Sequence, residues 1–212
     1  MPTRNIEAQV EINSNIHRKK TLNLDAQAPI TELGTVPDAA KPYVVATEQG
    51  DSLSHRTILT CTALPISLAD DADVAQYGGV QVYTMPEGLI FSKGAMISGN
   101  LTLGVTGTII AAFTGVNALG TVTASTGATL TSTEATWLQS TANATASASV
   151  AAISSVSVAT ALTESSSRIV NGTSTPAPVW LNFAIADDAT HTAGTGTFTG
   201  VITISWEKIG DL

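Results

Sequence analysis

Cysteine is almost missing from this chain: Cys61 is the only one in 212 residues. No disulfide within the chain and no cysteine metal cluster is therefore possible. Aromatic residues are scarce too, at ten, made up of four Phe, three Trp and three Tyr. Basic residues number 9 against 17 acidic ones, a net charge of −8. A field of that sign disfavours nucleic acid and anionic membrane as partners. Charged residues reach only 12%, about half the usual share of roughly 25%. Gly94–Thr133 carries no charge, yet Thr and Gly interrupt it throughout, and no run of 18 apolar residues is present to suggest a transmembrane helix. The opening Met1-Pro-Thr-Arg-Asn-Ile-Glu7 lacks the apolar core of a secretory signal, so no such leader is expected.

What the chain has instead is small and branched. Thr (32), Ala (30), Ser (19) and Gly (17) fill 98 positions, and Thr, Val (16) and Ile (16) together make 64 β-branched residues. Branched side chains suit a pleated surface, so strands are favoured over helices. Val, Ile and Leu total 48, enough for one core of ordinary domain size and too few for two deep ones.

The character of the chain changes near residue 54. Residues 1–54 hold four of the eight prolines, one aromatic (Tyr43) and short alternating pieces such as Ile6–Ile12 and Thr21–Asp25. They read as an extended arm, which either adds strands to the domain's own sheet or lies on another subunit. Residues 55–212 alternate strand and turn signals. Strands are expected at Thr57–Leu64, Gly79–Thr84, Leu89–Phe91, Ala95–Ile97, Asn100–Leu103, Gly107–Gly115 and Gly120–Ala124. The longest period-two pattern comes last. Val179, Leu181, Phe183 and Ile185 alternate with Trp180, Asn182 and Ala184, and Phe198, Gly200, Ile202, Ile204 and Trp206 do so after a loop. These two runs read as a hairpin with one buried face. Thr131 and Glu134 have the spacing of a capping box and predict one helix of 8 to 10 residues. The 142–158 stretch favours a strand only at its end. The resulting expectation is an all-β, antiparallel β-sandwich, jelly-roll-like, with an extended N-terminal arm and one short helix.

Catalytic patterns are lacking. The sequence contains no nucleophile elbow, phosphate loop, HExxH or CxxC. Gly194-Thr-Gly196-Thr-Phe-Thr-Gly200 misses the dinucleotide spacing and enters a strand. His17, His55 and His191 are far apart and read as surface or loop residues. Asp70, Asp71 and Asp73, and likewise Asp187 and Asp188, follow apolar strands and read as turn-starting residues; they lack the spaced ligands of a calcium loop. No metal and no cofactor is expected, and no enzyme. Arg18, Lys19 and Lys20 form the one basic run, either a solvated stretch or a contact to an acidic surface of a partner.

Three segments resemble structural proteins of tailed-bacteriophage particles: Tyr77-Gly-Gly-Val-Gln-Val-Tyr-Thr-Met-Pro-Glu-Gly-Leu-Ile90, Thr133-Glu-Ala-Thr-Trp-Leu-Gln-Ser-Thr-Ala-Asn-Ala144, and Leu181–Gly200. The likeness spans roughly residues 55 to 208 and leaves out the arm. It implies a virion component, a capsid cement or decoration protein made in the host cytoplasm and fixed as a homotrimer to the outside of the major capsid protein shell. Arg18, Lys19 and Lys20 would then be partner-binding. The alternative is a carbohydrate-binding head of a fibre or adhesin.

Overall fold

Threonine, valine and isoleucine do what their shape favours: almost every described segment is extended. The computed structural model describes residues 33–50, 54–71, 75–104, 112–113, 115–125, 130–142, 146–147, 150–158, 169–186 and 194–210. Among them are the strands Val44–Gly50 (β1), His55–Asp71 (β2), Ala75–Thr84 (β3), Gly88–Gly104 (β4), Ala112–Phe113 (β5) and Gly115–Gly120 (β6). Then follow Leu138–Ala142 (β7), Ala146–Ser147 (β8), Val150–Val158 (β9), Ile169–Gly172 (β10), Pro178–Ala186 (β11) and Gly194–Gly210 (β12). Every pairing between them is antiparallel. The all-β antiparallel class is therefore as expected.

The observed pairing runs without a break in the order β5-β8-β9-β4-β12-β2-β3-β11-β6-β7, with β1 added to β2 and β10 to β4, as one curled sheet. β2 makes this possible by its length. Its residues 55–68 pair with β12, and its last residues, Ala69 to Asp71, turn to pair with β3. The core lies inside the curl and gathers Leu59, Ile66, Val82, Ile97, Leu181, Phe183, Phe198 and Ile202, among others.

β2 carries a bulge against β12, where Phe198 faces Leu64 but Gly200 faces Cys61. Ala63, on the longer side of the bulge, has φ of 49°, and its N–H is taken by Thr199 Oγ1 at 3.0 Å. Gly200 faces Gly99 across the ladder, and the Phe198 ring lies over both. A Cβ on Gly200 would stand 2.8 Å from Phe198 Cζ. Two glycines side by side leave room for the ring and let the ring cover the gap.

Several expectations are corrected by this arrangement. β11 and β12 do not form a hairpin: β11 pairs with β3 and β6, whereas β12 pairs with β2 and β4. Their shared alternation buries both strands from different parts of the curl. The three short strands expected between Leu89 and Leu103 are one strand, β4, and Thr121–Ser125 is a loop. Asp70 and Asp71 lie within β2, not beyond its end. The helix expected from Thr131 is a four-residue 3-10 turn, Ser132–Ala135. Trp137 and Leu138 end it, since both are buried and Leu138 pairs with Leu119 in the ladder.

The boundary at residue 54 does not hold for residues 33–50. These belong to the same compact unit as the domain, Glu32–Leu212. Thr35 bridges Thr84, β1 pairs with β2 from Val44↔Cys61 to Gly50↔His55, and Ala40 and Val44 are buried in the core. The sheet takes up this segment because β2 would otherwise present an open edge over residues 55–61.

Candidate functional site

Two buried polar nodes hold the sheet together, and both draw residues from distant parts of the chain. The first lies under β1. On β2, the parity of Leu59 and Cys61 turns Thr57 and His55 inward as well, and both are buried. Thr57 Oγ1 donates to the Glu48 carboxylate at 2.9 Å and accepts the Trp206 indole N–H at 2.8 Å. Tyr83 of β3 donates its hydroxyl to the same carboxylate. His55 stacks on Trp206, with ring centroids 4.0 Å apart and planes 8° from parallel. At the rim, Lys93 pairs with Glu207 at 2.9 Å and donates to Ser54 at 3.2 Å.

Burial raises the Glu48 carboxyl above its usual value, and the hydrogen bonds from Tyr83 and Thr57 offset this only in part. Burial, and then the adjoining Glu48 carboxylate, raises the Tyr83 hydroxyl. The node ties β1, β2, β3 and β12 together through groups held in place by one another. It offers no activated nucleophile. Cys61, the nearest thiol along β2, is buried and its pKa is pushed up to about 12 by desolvation.

The second node lies under the 121–136 loop. Asn182 of β11 accepts the Ala124 N–H at 3.0 Å and donates to the carbonyls of Val122 and Glu134, both at 2.8 Å. Glu134 in turn accepts from Ser125 N–H (2.7 Å), Ser125 Oγ (2.8 Å) and Thr131 N–H (3.1 Å). The last bond is the carboxylate half of the capping box read from the sequence. The loop so fixed covers the outer side of β11, so Ala184 and Asn182 are buried along with Leu181 and Phe183. One face of β11 was expected to be open; over these residues both are covered.

His55 is buried against Trp206, contrary to the expected surface position. Its inward parity with Thr57, Leu59 and Cys61 was a readable signal. The expected partner-binding Arg18, Lys19 and Lys20 lie outside the described residues, as do His17, His191, Asp73, Asp187 and Asp188. Among the described residues no three His, Cys, Asp or Glu groups gather as a metal site. No helix among them is long and apolar enough to cross a membrane.

No protein-family model, curated protein or solved structure matches this chain.

Proposed function

We propose that this is a non-enzymatic structural protein of a bacteriophage virion, a capsid cement or decoration protein that binds the major capsid protein from outside and stabilises the shell as a homotrimer. One observation carries the reading. Parts of the three segments with phage-particle resemblance, far apart in sequence, lie side by side in the fold. β3 from the first pairs along its length with β11 from the third. Asn182 of β11 holds the carbonyl of Glu134 from the second. In this chain, Asn182 and Glu134 of these segments are engaged in holding the sheet and its covering loop together.

The carbohydrate-binding alternative calls for aromatic rings presented in an open cleft. Trp137, Trp206, Tyr83, Phe183 and Phe198 are fully buried and Tyr43, Tyr77, Phe91 and Trp180 are half-buried, so none of these described rings stands fully open, which favours the structural reading. The deciding experiment adds purified protein to shells lacking it. Co-sedimentation with a raised shell melting temperature supports a cement protein. Absence of binding, together with a positive glycan array, replaces it with the carbohydrate-binding reading.

A further inference from the structure

Among the described residues β1 is held by one neighbouring strand and two side chains. Its backbone pairs with β2 alone, from Val44↔Cys61 to Gly50↔His55. Val44 is buried, Glu48 is half-buried, and the other five residues of the strand are exposed. The two anchors differ in kind. Val44 belongs to the apolar core and is indifferent to pH, whereas Glu48 enters the polar node as a titratable carboxyl. Beyond Glu48 the strand ends at Gly50, whose φ of 119° suits a glycine at a turning point.

The groups around Glu48 come from four strands. Thr57 of β2 and Tyr83 of β3 donate to its carboxylate. Trp206 of β12 reaches it only through Thr57, and His55 of β2 is stacked on Trp206. Cys61 of β2 faces Val44, at the other end of β1. Lys93 of β4 and Glu207 of β12 pair with each other at the rim, and Arg56 is exposed opposite Gln49. Among the described residues, then, the carboxylate is met by hydroxyls and by no cation. Two hydroxyl donors fill only part of what an ionised carboxylate accepts, and water supplies the rest once the strand lifts. Burial accordingly disfavours the ionised form in place.

We propose that β1 is a pH-governed latch: ionisation of Glu48 loosens it from β2 while the rest of the sheet stays closed. The loosened strand uncovers the β2 edge from His55 to Cys61, a row of backbone groups open to pairing with another strand. Protonation of Glu48 closes it again. The sign follows from linkage, since a carboxyl that ionises less readily when closed than in water favours opening as pH rises. The gain is at most about tenfold in opening per pH unit and stops once the closed form is itself ionised. The latch goes beyond the capsid reading and does not depend on it.

The test is residue-resolved amide hydrogen exchange of the full chain and of Glu48→Gln, from below pH 4.5 to neutral pH. Exchange itself quickens with pH, so each rate is taken relative to that of an unfolded chain at the same pH. Opening of β1 in the native chain should rise with pH and then level off, and Glu48→Gln should lack that rise. His55 titrates in both chains, so the difference between them belongs to Glu48. At each pH the β1 amides should exchange at least about tenfold faster than that of Ile202 in the core strand β12. If Glu48→Gln does not fold, Tyr83→Phe supplies the reading. Removing a donor that favours the ionised carboxylate should carry the rise to higher pH. Equal pH profiles for the native chain and the variant overturn the proposal. So does exchange of β1 at the rate of Ile202, which would mean that the strand opens only when the whole sheet unfolds.

Discussion

Phe183 of β11 and Phe198 of β12 meet in the core with ring centroids 6.2 Å apart and planes tilted by 44°, although their strands share no ladder. The contact is made across the interior of the curled sheet, and it joins the β2–β4–β12 part to the β3–β6–β11 part.

Truncating either ring should therefore loosen the whole domain. Phe198→Ala should cost about 3–5 kcal/mol, and the loss should be increased by the uncovered pair Gly99 and Gly200. Denaturant unfolding of both single variants and the double variant measures it, and the two losses should fall short of additive because the rings touch. Strict additivity would mean that the rings act independently.

Ile204 is fully buried in β12. Ile204→Asp should leave no folded protein, since an unpaired buried carboxylate costs several kcal/mol. A soluble variant with the native melting temperature would disprove the inward assignment of this strand.

The node under β1 gives stability a definite pH dependence. The Glu48 carboxyl is raised by burial above 4.5, so the folded state favours its protonated form. Its contribution is present below pH 4.5 and lost as pH rises through the raised value. The stability of the native protein relative to Glu48→Gln should accordingly decline as pH increases over that window. A difference that grows with pH would contradict the sign. Tyr83 is raised as well, and its contribution is present below the ordinary tyrosine value of 10.0 and lost above it. Its phenolate absorbance should be missing until alkali unfolds the chain, so Tyr83→Phe should leave the native alkaline titration unchanged.

Cys61 should be inert in the folded protein. Its thiol is buried and its pKa is pushed up to about 12, so the thiolate that reacts with alkylating reagents is scarce near neutral pH. Labelling should follow the rate of opening and become fast in denaturant. Prompt labelling under native conditions would show that β2 opens beside β1.

A chain beginning at Arg56 should melt well below the full-length protein. It loses β1 and with it the Glu48 bonds to Thr57 and Tyr83, and it uncovers the core where Ala40 and Val44 were buried. The lost Val44 burial alone is worth roughly 1.5–3 kcal/mol. An unchanged thermal transition would show that residues 33–50 are an accessory to the sheet.

The sequence by itself determined the all-β class and the inward faces of β11 and β12. Phe183, Ile185, Ile202 and Ile204 are buried because alternation is a local property, set by the pleat wherever one side meets a core. The carboxylate half of the Glu134 cap was legible for the same reason: both of its residues lie within one turn. Pairing was decided only by the tertiary structure. β11 and β12 carry equivalent patterns, and a pattern names a face but not a neighbour. The short 3-10 turn in place of a helix was settled by burial of Trp137 and Leu138 at a distance in sequence. β1 was the least legible element. Only Val44 of its seven residues is fully buried, so its place came from the edge of β2 and from the inward carboxylate of Glu48, which meets its hydroxyl partners only once β2 and β3 are assembled.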